Sequence, residues 1–231
     1  MARSIFPPLA VAAVSHDAGV REVLTRALSR MPGVVFTGAC SSAAPAVEQA
    51  WVSHRDGHRP PWNVLMLDWA LPGAVAGACA RRLQSLLRTP RIVALVTGND
   101  PAETLAAVRA GADAVLLRSL TAAELTAQLE PILELGVNLG ASLAGVLLDL
   151  AEPTTNSRAL PLPLRQQQMK LLRAAARGLS LPEIGQALGA STAAVADEIR
   201  QIHGLLRIAA PSTTPAPYFE SAPAFRAEAS R

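Results

Sequence analysis

The chain has 231 residues, 21 basic and 18 acidic, for a formal charge of +3. Half of it is apolar and 17% is charged, which excludes a disordered protein over most of the length and leaves room for one large domain or two modest ones. Only 3% is aromatic, which argues against stacking of single-stranded bases, and collagen-like, coiled-coil and disulfide-scaffold compositions do not fit.

The opening, Met1 to Ala13, imitates a signal peptide, with Arg3 ahead of an apolar stretch. Pro7-Pro8 interrupts that run, and Leu9–Val14 reads better as a buried strand. Asp17 then caps a helix through Leu28, with Val20, Val23, Leu24, Ala27 and Leu28 on one face. A second strand is expected over Val34–Thr37 and a helix from about Ala43 to Trp51. The third strand, Val64–Leu67, ends at Asp68 and leads to a helix from Val75 to Leu87. Arg91–Val96 is a fourth strand, followed by a helix over Ala102–Ala110. Ala114–Leu117 is a fifth, and a helix runs from Ala122 to Leu133. Five strand–helix units with continuous apolar strands specify a parallel sheet covered on both faces, a flavodoxin-like α/β domain.

A further helical segment follows around Ala141–Leu150, then a polar linker, Glu152 to Arg158. The stretch Gly136 to Leu148 is apolar but too short to span a bilayer. Residues 163–208 hold three helical stretches separated by Gly178-Leu-Ser180 and Gly189-Ala-Ser191, an all-α unit. Ala209 to Arg231 is rich in Pro, Ala and Ser without a period and reads as a disordered tail. The expected division is therefore an α/β domain at 1–134, a helical linker at 135–160, an all-α domain at 161–208 and the tail at 209–231. Cys40 and Cys79 form no CxxC and read as free thiols in a reducing compartment, so the expected location is cytoplasmic, with no membrane partner.

Chemistry in such sheets belongs at the carboxyl ends of the strands. Those ends read Ser15-His16-Asp17, Asp68 with Leu71-Pro72-Gly73 just after, Thr97-Gly98, and Arg118-Ser119. Together with Ala107–Leu117, these residues resemble the receiver domain of bacterial response regulators over about residues 9–134. The resemblance implies a phosphoacceptor at Asp68 and switch positions at Thr97, Val115 and Arg118. It also places the family's acidic pair on Ser15 and His16. In the family that pair holds Mg²⁺, a hard cation that takes oxygen ligands, usually carboxylates. Ser and His leave Asp68 as the only charged ligand, with Asp17 one residue late. Arg118 replaces a Lys and keeps its charge without its compact geometry. Val115 stands where an aromatic is expected. The reading that follows is loss of Mg²⁺-dependent phosphorylation at Asp68 and no cofactor.

An insertion, His54 to Pro61, lengthens the loop before the third strand. His54, Asp56 and His58 are metal-type side chains, but a Gly-containing solvated loop is the expected reading. Ser15 with His16 is not a hydrolase dyad, because neighbours along a strand point opposite ways and no G-x-S-x-G turn is present. No base–nucleophile pair or metal triad emerges, so an enzyme is not expected.

Leu164 to Ile208 resembles, without gaps, the LuxR-type helix-turn-helix that ends NarL/FixJ-type regulators. The match is carried by Leu172, Arg173, Ala176-Arg177-Gly178-Leu179-Ser180, Glu183-Ile184, Leu188-Gly189, Ser191, Val195, Arg200, Ile202 and Leu206. It implies a reading helix over about Thr192–Leu205, entering the major groove of DNA, and a homodimer. The positions expected on DNA are Pro182, Thr192, Ala193, Ala196, Asp197 and Arg200. Ala193, Ala196 and Pro182 stand where the family has Lys, and Asp197 and Glu198 where it has neutral polar residues. Fewer phosphate contacts and two carboxylates facing the groove weaken binding. Six basic residues against three acidic ones in 161–208 offer compensation. The leading expectation is an atypical response-regulator-like transcription regulator. Its input would be a protein partner, a small ligand at the strand ends of the receiver domain, or nothing but concentration; the alternative is a pseudo-regulator acting as a protein–protein interaction module with weak or no DNA binding.

Overall fold

The structure, a computed structural model, describes residues 9–87, 91–98, 100–151 and 163–208. Five parallel strands form one sheet in the order β2-β1-β3-β4-β5: β1 (Leu9–Val14), β2 (Val34–Cys40), β3 (Val64–Asp68), β4 (Arg91–Val96) and β5 (Ala114–Leu117). The crossovers are α1 (Ala18–Leu28), α2 (Ala44–Arg55), α3 (Val75–Leu86) and α4 (Pro101–Ala110), and α5 (Ala122–Leu135) follows β5. Alternation along each strand sorts the core into two layers. Ala12, Val14, Leu65, Leu67, Ile92 and Ala94 meet α2, α3 and α4 on one face. Val11, Ala13, Val64, Met66, Val93 and Leu95 meet α1 and α5 on the other.

Two elements run further than their sequence pattern. β2 continues past Thr37 to Cys40 because Gly38, at φ 132°, absorbs a bulge where the register against β1 shifts. α2 continues to Arg55 and ends in a Schellman turn. Gly57 (φ 72°) donates to the His54 carbonyl at 3.3 Å, and His58 N–H donates to the Ser53 carbonyl at 2.8 Å. The free edge of β5 is closed by one side chain: Asn138 Oδ1 accepts from Val115 N–H at 2.9 Å, and its Nδ2 donates to the Val115 carbonyl at 2.7 Å.

The remaining helices are α6 (Ala141–Ala151), α7 (Gln166–Ala176), α8 (Leu181–Leu188) and α9 (Thr192–Ile208). Where sequence reading placed a linker, α6 is packed. Leu143, Ala144 and Leu147 share one core with Leu171, Leu172, Ile184, Val195, Ile199, Ile202 and Leu206, and with Val108 of α4 and Val137. The helices and the sheet therefore share a third hydrophobic layer. No helix of the described residues is long and apolar enough to cross a membrane. The expected polar linker at 152–158 and the tail at 209–231 lie outside the described residues.

Candidate functional site: a lone aspartate and a docked helix

Asp68 ends β3 and is fully buried. Its Oδ2 accepts from the Ser15 hydroxyl at 2.6 Å and lies 3.5 Å from the Arg118 guanidinium. Its Oδ1 accepts from Ala70 N–H at 3.0 Å. The sequence placed Ser15 and His16 on opposite sides, yet both approach this carboxylate, His16 Nδ1 lying 4.0 Å from Oδ2. The reason is that β1 stops at Val14, so strand alternation no longer applies to the next two residues. Arg21, which sequence reasoning did not single out, holds this turn by donating to the Ser15 and His16 carbonyls at 2.7 and 2.9 Å. Its signal was only a cation one helical turn beyond Asp17.

Asp17 is the N-cap of α1: Oδ1 accepts from Gly19 and Val20 N–H at 2.8 and 3.3 Å, and Oδ2 meets Arg118 at 3.0 Å. The backbone bonds from Val20 and Gly19 hold its carboxyl below the usual carboxylate range, with Arg118 acting in the same direction. Arg118 thus joins two carboxylates with its side chain only 16% exposed. Thr97 is exposed and its backbone N–H donates to the Glu103 carboxylate at 3.2 Å; among the described residues nothing ties its hydroxyl to Asp68. Val115 is half-buried, packed against both the α2–α4 layer and the helical core.

A magnesium ion wants several oxygen ligands in octahedral array. The residues here do not fit one. Asp68 is the single carboxylate at the strand ends facing inward, both its oxygens are already hydrogen-bonded, and a guanidinium stands beside it. Among the described residues no group of three His, Cys, Asp or Glu is placed to hold a metal, and this covers His54, Asp56 and His58.

The helix-turn-helix is built from caps. Ser180 and Glu183 form a capping box at the start of α8. Gly189, at φ 66°, ends α8 with the Ala190 N–H donating to the Gly185 carbonyl at 2.9 Å. Ser191 Oγ accepts from Ala194 N–H at 3.2 Å and caps α9. Of the expected DNA-facing residues, Pro182, Thr192, Ala193, Asp197 and Arg200 lie at the surface or close to it, and Ala196 is fully buried. Asp197 pairs with Arg200. Glu198, expected to face a groove, turns instead to α7, where it accepts from Arg165 at 2.7 Å and from Gln168 at 3.1 Å.

One face of α9 is engaged by the sheet domain. Arg200 Nη2 donates to the Leu135 carbonyl at 3.1 Å. Arg207 Nη2 donates to the carbonyls of Gly111 and Ala112 at 3.0 and 3.1 Å, and to Asp113 Oδ1 at 2.9 Å. His203, between them at helical spacing, is 2% exposed with neither ring nitrogen hydrogen-bonded, and burial, with Arg207 adding to it, pushes its pKa down to about 4. Asp113 shifts up although Arg207 bonds to it, because its burial outweighs the pairing. Sequence reading counted Arg207 only as charge; a partner 94 residues away leaves no local pattern.

No family model and no curated protein matches the chain. Solved structures do. The RcsB response regulator of Salmonella typhimurium, described for its conformational dynamism in DNA interaction, aligns over 87% of this chain and 93% of its own, with a TM-score of 0.51 and 16% identity. The receiver domain of NarL from Mycobacterium tuberculosis covers 55% of this chain and 96% of its own at 25% identity and a TM-score of 0.46. A LuxR-family two-component response regulator from Aurantimonas sp. covers 59% and 92% at 23% identity, with a TM-score of 0.48. The RcsB alignment spans the sheet and the C-terminal helices together, so the chain has the fold of a response regulator with a receiver followed by a helix-turn-helix.

Proposed function

We propose that this chain is a cytoplasmic, response-regulator-like transcription regulator. It binds DNA as a homodimer through α8 and α9, and its control input is something other than Mg²⁺-dependent phosphorylation of Asp68. The receiver-like unit at 1–134, the helix-turn-helix at 161–208 and the site residues named above are parts of this proposal. The observation that carries it is the Asp68 carboxylate held by Ser15, Ala70 and Arg118, where a second acidic ligand would have to stand. A guanidinium already neutralises the charge that a divalent cation would neutralise. The DNA-binding half is supported by the fold shared with RcsB, whose structure was described for DNA interaction.

The docked helix supports a switch as part of this reading. Arg200, expected at the groove, and Arg207 on the same face of α9 both donate to the sheet domain, whereas Pro182, Thr192, Ala193 and Asp197 lie at the surface or close to it and Ala196 is buried. Release of the helical unit from the sheet domain would free Arg200 for DNA. A protein partner or small ligand that favours the separated form then shifts the population.

Two measurements on the full chain test this reading. Incubation with acetyl phosphate and Mg²⁺ leaves the intact mass unchanged; a stable gain of about 80 Da, one phosphoryl group, overturns the control half. Footprinting on genomic fragments gives discrete protected sites at about 50 mM salt, weakening as salt rises. Absence of binding even there leaves the protein–protein interaction module, a reading favoured by exposed Asp197 on the reading helix.

A further inference from the structure

The insertion between α2 and β3 builds a groove that the receiver fold does not require. It lies at the amino ends of the strands, beside Ala10 of β1 and Asn63 just ahead of β3. Asp68 is five residues along the same strand, roughly 16 Å away at strand rise, so the two places are separate. The groove is open to solvent and offers about 640 Å³, within the range of small-molecule pockets. Its floor is apolar, from Trp62, Leu86 and Leu87, and its rim carries His54, His58 and Arg59.

The walls are fixed. The Schellman turn at Gly57 sets the backbone of His54 and His58 within this exposed, Gly-containing loop. Pro60 and Pro61 restrict the chain that follows. Trp62 is 2% exposed and its indole N–H donates to Gln49 Oε1 at 3.0 Å. Asn63 N–H donates to the Ala10 carbonyl at 2.8 Å, tying the end of the loop to the sheet.

Arg59 is the formal cation of this rim, and among the described residues no acidic side chain lines the groove. The one acid in the loop, Asp56, accepts from Arg55 at 2.8 and 3.3 Å and also interacts with the neighbouring His58. Arg59 meets no carboxylate among the described residues, and its planar fork matches a carboxylate bidentately. An apolar floor under a rim that carries Arg59 fits an anion with an apolar body, and it disfavours both a bare anion and a neutral hydrocarbon.

We propose that the groove formed by the α2–β3 insertion is a binding site for a small organic acid. The carboxylate is held by Arg59 with His54 and His58, and the apolar body lies against Trp62, Leu86 and Leu87. This inference is independent of the DNA reading and of the state of Asp68.

Calorimetric titration of the full chain tests it, with phenylacetate and 1-naphthylacetate as probes and phenylacetamide, acetate and inorganic phosphate as comparisons. At least one of the two aromatic acids binds with one-to-one stoichiometry. Phenylacetamide, acetate and phosphate bind at least about tenfold more weakly than that acid. Arg59→Glu and His58→Ala each weaken the acid by about tenfold or more; both positions are exposed, and unchanged circular dichroism confirms that the fold is kept. With Trp51→Phe and Trp69→Phe in place, Trp62 emission changes on saturation. The proposal is overturned if neither aromatic acid binds at concentrations up to about 10 mM, if phenylacetamide binds as well as phenylacetate, or if Arg59→Glu binds like the unchanged chain.

Discussion

Arg207 in the last turn of α9 meets Asp113 at 2.9 Å, and the same guanidinium nitrogen reaches the carbonyls of Gly111 and Ala112. A single side chain therefore fastens the helical unit to the turn between α4 and β5. Arg207→Ala removes these bonds and leaves a largely buried Asp113 without its cation. The expected loss of docking is about 2 kcal/mol, or a shift of roughly thirtyfold toward the separated form. Small-angle scattering reads this as a larger radius of gyration. Under the proposed function, DNA affinity rises in the same variant.

Neutralising Asp68 is destabilising here. In a cluster of carboxylates, removing one charge relieves repulsion; in this site the charge is paired with Arg118 and hydrogen-bonded by Ser15 and Ala70. Asp68→Asn costs about 1–3 kcal/mol in urea unfolding, and Asp68→Ala, which strands Arg118 and Ser15, costs about 3–5 kcal/mol. A gain in stability for Asp68→Asn contradicts the pairing.

His203 gives stability a pH window. The ring is neutral in the folded chain, with its pKa lowered from 6.5 to about 4 by burial. Between those values the unfolded chain binds the proton and the folded chain does not, so stability falls as pH falls from 6.5 toward 4. The full contribution is roughly 3 kcal/mol. His203→Leu flattens stability across this window, measured by urea unfolding at several pH values. Asp17, Glu124 and Glu183 are held below their ordinary values by hydrogen bonds and lose their contributions at lower pH, below about 4.5, so the two regimes separate.

Gly185 carries the turn of the helix-turn-helix without a side chain because a Cβ there would stand 2.7 Å from the Ala190 carbonyl oxygen. Gly185→Ala gains helix propensity of about 1 kcal/mol but forces backbone to move. The expected net loss is about 1–2 kcal/mol, visible as a lower melting temperature of the helical unit.

The sheet was legible because each strand is a short apolar run bounded by turn residues, and the helices because their apolar faces repeat at helical spacing. Bounds slipped at two elements: β2 continues through a bulge at Gly38, and α2 runs on to Arg55 before the turn at Gly57. At the site, Asp68 and Arg118 were visible as residue types at strand ends. The bond from Ser15 to Asp68 was not, because it depends on how the chain turns after Val14. The docking of α9 was hidden for a different reason. Arg200, His203 and Arg207 look like a solvated stripe on an isolated helix, and only the tertiary arrangement makes them an interface.

Asn138 satisfies both the donor and the acceptor of Val115, standing in for one residue of a missing sixth strand. That border of the sheet has no open backbone groups left at Val115 for a neighbouring molecule to capture, which narrows the template on which extended chains polymerise. An Asn138→Ala variant would reopen that stretch of a fibril-prone margin.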